Sequence, residues 1–331
     1  MTPIAPHIAT FLRERLPRQR GASEHTCEAY AYAFKLLFEY ASSRFKVPPS
    51  QLSLEQIDAS LITDFLGSLE SERGNSPSTR NARLVAIKSF MAFLEHQLPA
   101  FLEQSRQIRA IPPKKTNIPL VNHLRRDEIQ ALLNAPDLAS RSGIRDRAML
   151  HLGFAAGLRV SELVTLPLAA LTFHPSPSLR VTGKGRRERT LPLWKQTAAD
   201  LRAWLAVRSE RPGVVELFVN ARGLPMTRSG FEYVLTKHAA TGGTCCPTLT
   251  AKRISPHVLR HSCALMILQA TGDLRKVALW LGHADIQSTE MYLRIDPTEK
   301  LDAIEAVVPP TMQPGRYRVP DALIALLQQP A

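Results

Sequence analysis

The sequence is poor in cysteine and has no long apolar run, and both absences narrow the class of protein. Its four cysteines among 331 residues are Cys27, Cys245, Cys246 and Cys263. They have neither CxxC spacing nor the density of a disulfide-stabilised domain, so we expect reduced thiols without a redox role. No apolar run approaches the ~18 residues of a membrane span, and the first residues lack a signal-peptide pattern. We therefore expect a soluble, intracellular protein without a membrane partner.

Motifs for metal or nucleotide chemistry are also incomplete. His257 and His261 have the i, i+4 spacing of a metalloprotease helix, but Val258 stands where that motif has glutamate. The GKG around Lys184 lacks the GxxxxGK[ST] frame of a P-loop, so nucleotide hydrolysis has no support. We predict no metal site and no cofactor.

Basic residues are in excess and unevenly distributed. The chain has 42 Lys and Arg against 29 Asp and Glu, a net charge of +13. Residues 1–112 contain 13 basic and 11 acidic residues, and residues 113–331 contain 29 and 18. Such an excess favours a polyanionic partner, and it lies mainly in the second part of the chain.

Periodicity and proline content divide the chain into four segments. Residues 1–111 have helical periodicity, and the proline-rich, basic stretch 112–120 is a stiff linker. Residues 121–308 contain helices and one hairpin, followed by a tail at 309–331. We predict a mainly α protein with a small antiparallel β-sheet, an α+β fold.

Five basic residues of the first part and the linker are candidate DNA contacts. Arg80, Arg83 and Lys88 lie on one predicted helix, where they could face a DNA groove or backbone. The alternative is a solvated, charged helix face. Lys114 and Lys115 follow in the linker.

The stretch ISPHVLRH predicts a cationic site at the start of a helix. Ser255 and Pro256 form an N-cap and first-turn pair, so a helix begins at about Pro256. His257, Arg260 and His261 then share one face in its first turns, where free N–H groups favour an anion. A phosphate or carboxylate is the expected target, although His261 could instead be a packed core residue.

Arg159 precedes Glu162 by three residues in GLRVSEL, within reach of an ion pair. The apolar context predicts a buried arginine whose outer N–H groups bind a phosphate while Glu162 orients it. The alternative is a plain Arg–Glu brace.

The segment SLRVTGKGRRERTLPL predicts a β-hairpin with Lys184 at its turn. A lysine at a hairpin tip is usually exposed and without a function, but this one could reach bound DNA and donate a proton. Arg186 and Arg187 beside it are further candidate DNA contacts.

Tyr292 follows two predicted helix boundaries. Gly272 ends the ISPHVLRH helix, and Asp273 caps a short helix that ends at Gly282, which puts His283 at a helix-to-loop corner. Alone, Tyr292 would be a core aromatic; beside these cations it is the candidate nucleophile.

The motifs GLRVSEL, VTGKGRRERTLPL, HVLRH, LGH and STEMYLR resemble, in order and spacing, those of the tyrosine recombinases, the phage-integrase type of site-specific recombinase. The resemblance covers about residues 120–297, and the helical first part resembles the family's SAM-like core-binding domain. It implies that Tyr292 attacks the scissile phosphodiester and forms a 3′-phosphotyrosyl bond. Arg159, Arg260 and His283 would hold the non-bridging oxygens.

The resemblance also implies roles for three further residues. Lys184 would be the general acid for the leaving 5′-hydroxyl, His257 would assist proton transfer at the nucleophile, and Glu162 would brace Arg159. Removing one donor to the phosphate should cost about 10²- to 10³-fold in rate. Neither metal nor ATP is expected, because the covalent intermediate conserves bond energy.

The implied partners are double-stranded recombination sites. The chain would form a tetramer on them, either from four copies of itself or together with sister recombinases. The tail would dock on a neighbouring protomer or fold on its own domain. Without an arm-binding domain ahead of the core-binding region, a Xer-like or transposon-borne enzyme is expected, in a bacterial cytoplasm at the nucleoid. The alternatives are an enzyme like type IB topoisomerases or telomere resolvases, and a non-catalytic DNA-binding regulator.

Overall fold

The computed structural model divides the chain into two compact units, residues 1–118 and 119–331. The structure describes residues 1–116, 122–183, 187–283 and 285–294, apart from the side chain at 294. The division falls within the predicted linker 112–120. Lys184, Arg186 and the tail 309–331 lie outside the described residues.

The first unit is helical. Its α-helices are α1 (Ile4–Thr10), α2 (Glu24–Phe45), α3 (Ala59–Ser71), α4 (Pro77–Gln97) and α5 (Leu102–Ala110), and a π-helix at Phe11–Gln19 continues α1. Short 3₁₀ turns connect them at Pro49–Gln51, Leu54–Gln56 and Pro99–Phe101.

Helix α4 begins and packs as its sequence predicts. The side chain of Ser76 accepts a hydrogen bond from the backbone N–H of Thr79, with Pro77 in the first turn. Its apolar stripe, which includes Leu84 and Met91, is buried in the core of this unit. Four phenylalanine rings, Phe11, Phe34, Phe90 and Phe93, form the centre of that core.

The second unit contains eight α-helices and a three-stranded sheet within its described part. They follow the chain order α6 (Arg126–Asn134), α7 (Arg141–Ala155), α8 (Val160–Val164), β1 (Leu171–Thr172), β2 (Ser178–Thr182), β3 (Glu188–Pro192), α9 (Lys195–Val207), α10 (Arg228–Gly243), α11 (Pro256–Thr271), α12 (Leu274–Leu281) and α13 (Gln287–Glu290). A 3₁₀ turn at Met291–Arg294 follows α13. The predicted fold class, mainly α with a small antiparallel sheet, is confirmed.

The sheet is antiparallel in the order β1-β2-β3. In the predicted hairpin Val181 stands opposite Arg189, and Leu179 opposite Leu191. Opposed residues point to the same face of the sheet, and Val181, Leu179 and Leu191 are all buried. Arg189 therefore belongs to the core-facing side of β3.

The segment SGIRDRAMLHLGFAAGLRVSELVTL forms two helices, α7 and α8, with a turn between them. Gly157 in that turn has a positive φ of 55°, and a Cβ there would lie 2.6 Å from Leu281 Cδ2. The contact with α12 therefore requires glycine and stops the helix.

Within the described ranges, no helix is long and apolar enough to cross a bilayer. No cluster of three or more His, Cys, Asp or Glu side chains in those ranges could hold a metal ion. The four cysteines are free thiols.

Candidate active site

Helix α11 presents the ISPHVLRH motif as the sequence predicts. The side chain of Ser255 accepts from the backbone N–H of Val258, and Pro256 occupies the first turn. Gly272 ends the helix with a positive φ of 59°. These local signals fix the position of Arg260 one turn inside the helix.

Among the described cations of the site, Arg260 is the most deeply buried, with 4% of its surface exposed. Its guanidinium donates to the carbonyl oxygen of Gly157 in the α7–α8 turn and, at 2.8 Å, to that of Leu281 at the end of α12. Burial, together with the charge of Arg159, lowers the pKa of Arg260 to about 10. It is therefore still protonated at neutral pH.

Arg159 and Glu162 form the predicted ion pair at the start of α8. Arg159 Nη1 lies 2.9 Å from Glu162 Oε1, and Glu162 Oε2 accepts from the backbone N–H of Arg159 at 3.0 Å. The carboxylate is 6% exposed, whereas the arginine side chain is 33% exposed rather than buried as its apolar context suggested. The outer face of this guanidinium is thus open to a ligand.

A third arginine, Arg189, also contacts Glu162, and this contact was not predicted from the sequence. Arg189 Nη2 lies 2.9 Å from Glu162 Oε2, and Arg260 Nη1 lies 3.9 Å from the same oxygen. One carboxylate is therefore surrounded by three guanidinium groups. We call Arg159, Glu162, Arg189 and Arg260 the Glu162 cluster.

His283 follows Gly282 at the end of α12, the predicted helix-to-loop corner. Its Nδ1 lies 2.8 Å from the hydroxyl of the buried Thr289. Burial and the positive charges of Arg260, Arg159 and Arg189 lower the pKa of His283 to about 4. Because these three charges act on His283, it belongs to the same electrostatic environment as the Glu162 cluster.

Tyr292 lies in the 3₁₀ turn after α13, and its side chain is 1% exposed. Its hydroxyl lies 2.9 Å from His261 Nδ1. Burial raises the pKa of Tyr292 to about 12, although the charges of Arg260 and Arg159 oppose the shift. The phenol is thus protonated at neutral pH and within electrostatic range of two arginines.

His261, which the sequence left open as a core residue, is the histidine that contacts the tyrosine. Burial, with the charges of His257 and Arg260, lowers its pKa to about 4, so its imidazole is neutral at pH 7. His257 is exposed, and its ring centroid lies 6.2 Å from that of His261. The two histidines share a face as predicted, but His261 is the inner one.

The predicted DNA contacts of the first unit differ in exposure. Arg80 is 6% exposed and donates to the carbonyl oxygen of Pro112 at 3.2 Å. Arg83 lies over the ring of Tyr32 at 4.9 Å, and burial lowers the pKa of Lys88, with Arg109 and Arg80 adding to the shift.

The linker and hairpin candidates complete the predicted DNA contacts. Lys114 forms an ion pair with Glu70 at 2.7 Å, while Lys115 and Arg187 are exposed. Exposure makes Lys115 and Arg187 the freest of the described candidates to meet a phosphate.

Similarity to known proteins extends over both units. Residues 122–299 match the Phage integrase family, and residues 8–97 match the Phage integrase, N-terminal SAM-like domain. Protein y4rC of Sinorhizobium fredii, whose name places it among integrases and recombinases, is 40% identical over 98% of this chain and 97% of its own length. Tyrosine recombinase XerC of Myxococcus xanthus is 32% identical over 89% of this chain and 95% of its own.

Among solved structures, the fold resembles that of the XerH site-specific recombinase in a post-cleavage complex with palindromic difH substrate. The TM-score is 0.68 at 22% identity, covering 89% of this chain and 83% of that one.

Fold and family match together define a site-specific recombinase that acts on DNA. The chain belongs to the Phage integrase family, with its N-terminal SAM-like domain followed by the integrase domain.

Proposed function

We propose that this protein recombines DNA by cutting and rejoining strands through a 3′-phosphotyrosyl bond at Tyr292. The observation that carries the proposal is the position of the Tyr292 hydroxyl, bonded to His261 and within electrostatic range of Arg260 and Arg159. A nucleophile beside preorganised cations, with a neutral imidazole on its hydroxyl, suits phosphoryl transfer.

In the cleavage step the Tyr292 oxygen bonds to the scissile phosphorus and the bond from phosphorus to the 5′-oxygen breaks. The phenol proton passes to an imidazole, His261 in the observed geometry or His257 after rearrangement. Lys184, as general acid, protonates the departing 5′-oxygen. Arg159, Arg260 and His283 hold the non-bridging oxygens, where negative charge develops.

The pKa values of Tyr292 and His261 do not by themselves favour that proton transfer. Tyr292 has a pKa of about 12 and His261 of about 4, so the phenol keeps its proton. A phosphate near Arg260 offsets the positive field that, with burial, depresses the pKa of His261. DNA binding therefore supplies part of the activation.

Rejoining reverses the same step, because a free 5′-hydroxyl attacks the phosphotyrosyl bond. One phosphodiester bond is replaced by one phosphoester of similar energy, so no ATP is required. The guanidinium groups provide the charge that a metal ion supplies in other phosphoryl-transfer enzymes, and the proposal is therefore a metal-independent reaction.

The proposed substrate complex is a tetramer on two paired duplex sites, with sister recombinases as optional partners. Arg83, Lys88, Lys115 and Arg187 are proposed to contact the DNA, together with Lys114 and Arg186. Arg80 would serve chiefly by supporting the backbone at Pro112. An enzyme with this substrate acts at the nucleoid, in the cytoplasm.

The test is a search for a covalent adduct. Wild type and Tyr292→Phe are incubated, in EDTA, with labelled nicked duplexes taken from the DNA that flanks the coding region. We expect an SDS-resistant protein–DNA band from wild type alone. Strand exchange between two such duplexes is then measured on any duplex that gives the band.

Three other outcomes would each contradict part of the proposal. Clear binding without a band from either protein would favour a DNA-binding regulator. Relaxation of supercoiled DNA without strand exchange would favour an enzyme of the topoisomerase type. A band that requires added Mg²⁺ would contradict metal independence.

A further inference from the structure

We propose that Arg189 is a positioning residue for strand cleavage, one that holds Glu162 and the Gly282–His283 corner in the arrangement that a phosphate requires. The inference rests on the proposed function and gives a role to a residue of the VTGKGRRERTLPL motif to which the resemblance assigned none. Arg189 lies in β3, whereas Arg159 immediately precedes α8, Arg260 lies in α11, and His283 follows the end of α12.

The contact between Arg189 and Glu162 is two-pronged. Nη2 of Arg189 lies 2.9 Å from Oε2, and Nη1 lies 3.4 Å from Oε1. Such a fork fixes the plane of the carboxylate as well as its position. Since Glu162 Oε1 also accepts from Arg159 Nη1 at 2.9 Å, the plane of the carboxylate determines where Arg159 points.

Arg189 also packs against the backbone that leads to His283. A Cβ on Gly282 would lie 2.7 Å from Arg189 Nη1 and 3.2 Å from its Cζ. The guanidinium therefore lies directly on this glycine, whose positive φ of 66° ends α12. A single side chain thus supports both the Arg159 side and the His283 side of the site.

The charges of the Glu162 cluster support a positioning role for Arg189 and a phosphate-binding role for Arg159 and Arg260. Burial alone would raise the pKa of Glu162, but Arg189 and Arg159 hold it below its usual range, so the carboxylate stays ionised. With Arg189 neutralising Glu162, the charges of Arg159 and Arg260 remain available to an anion. Without Arg189, the counter-charges of Glu162 within the described part of the chain are Arg159 and Arg260.

Exposure separates Arg189 from the DNA-contacting candidates of the same hairpin. Its side chain is 10% exposed and faces the core opposite Val181, whereas Arg187 is exposed. Arg189 is therefore expected to act through Glu162 and Gly282 and not by touching DNA.

The test compares variants on a nicked duplex that wild type has been shown to cleave. We measure the single-turnover rate of adduct formation, the affinity for uncleaved DNA and the thermal midpoint. Arg189→Met should slow adduct formation by about 10²-fold with unchanged DNA affinity, the effect expected of misplaced catalytic groups. Arg189→Lys should recover part of the rate, because it restores the charge but not the fork.

Two comparisons separate positioning from a loss of stability. Arg147→Met breaks a similar pair, Arg147 Nε to Asp200 Oδ1 at 3.2 Å, and should leave the rate of folded protein unchanged. Glu162→Gln combined with Arg189→Met should cost no more than the worse single variant, because the two residues act as one unit.

A wild-type rate in Arg189→Met, or multiplying effects in the double variant, would overturn the inference. So would equal losses of rate in Arg147→Met and Arg189→Met that follow their thermal midpoints. If Arg189→Met does not fold, Arg189→Lys decides: a wild-type rate there contradicts the need for the fork. An absence of adduct from wild type would instead reject the proposed function.

Discussion

Glu162 and Asp200 are two carboxylates of the second unit, 6% and 11% exposed, and their surroundings differ in charge. Asp200 binds one arginine, Arg147, and the Nδ1 of His151 at 2.9 Å. Glu162 is surrounded by three guanidinium groups. We call Asp200, Arg147 and His151 the Asp200 cluster.

A carboxylate with one guanidinium partner can serve folding alone, whereas several guanidinium groups around one largely buried carboxylate are costly unless an anion also binds. Under the proposed function, the positive charge that Glu162 does not neutralise is available to a phosphate, whereas the Asp200 cluster has no such role. Between these two clusters, the number of guanidinium groups around the carboxylate, more than the presence of an ion pair, marks the one proposed to bind a phosphate.

The largest expected difference between the clusters is in cleavage rate. Arg260→Met should slow adduct formation by about 10²- to 10³-fold, since a preorganised donor to the transition state is lost. Arg147→Met should destabilise the protein by about 1 to 3 kcal/mol and leave the rate of the folded protein unchanged. Rates are compared at a temperature where circular dichroism shows that both variants are folded. An equal loss of rate in the two variants would contradict the proposed difference between the Glu162 and Asp200 clusters.

A smaller effect is expected at the tyrosine. His261→Phe should slow adduct formation by about 10²-fold, because a proton acceptor on the Tyr292 hydroxyl is removed. His257→Phe should have the smaller effect, since His257 is exposed and outside this hydrogen bond. The reverse order in single-turnover kinetics would mean that Tyr292 changes its partner when DNA binds.

Stability should depend on pH through the histidines of the site. His261 and His283 have folded pKa values of about 4, below the ordinary 6.5. Their contribution is fully present above pH 6.5 and is lost as the pH falls toward 4, because only the unfolded chain takes up protons in that range. Thermal midpoints measured across this range should fall in wild type.

The matched variant for this pH series carries His261→Asn and His283→Asn. Its thermal midpoint should fall less steeply over the same range. An identical slope in both proteins would show that these two imidazoles are not held neutral.

The smallest expected effect is on DNA affinity, where an exposed cation of the linker is compared with a buried cation of the first unit. Lys115→Met should weaken DNA binding and reduce the slope of log K against log salt by about 0.9, because one phosphate contact is lost. Arg80→Met should leave that slope unchanged, since Arg80 is buried against Pro112. Fluorescence anisotropy over a salt series measures both, and a reduced slope in Arg80→Met would assign it to the DNA interface.

Local signals in the sequence predicted much of the site. Ser255 and Pro256 begin α11, Gly272 ends it, and Asp273 caps α12 with its side chain. The three-residue spacing of Arg159 and Glu162 likewise sufficed to predict their ion pair. Each of these contacts joins residues that are close in sequence, so helix geometry alone brings them together.

The missed residues depend on contacts between distant segments. Arg189 reaches Glu162 from 27 positions away, and the docking of Tyr292, 31 positions after His261, decides which histidine lies inside. One signal for Arg189 was available: it precedes the apolar Leu191 by two residues in a strand, so both face the core. A charged residue on the apolar face of a strand indicates a buried partner.

The most direct test of the central claim is to locate the covalent bond between protein and DNA. The adduct from wild type on a nicked duplex is digested, and tandem mass spectrometry identifies the modified peptide and the polarity of the attached strand. We predict a nucleotide 3′-phosphate on Tyr292. Attachment to any other residue, or through a 5′-phosphate, would contradict the account.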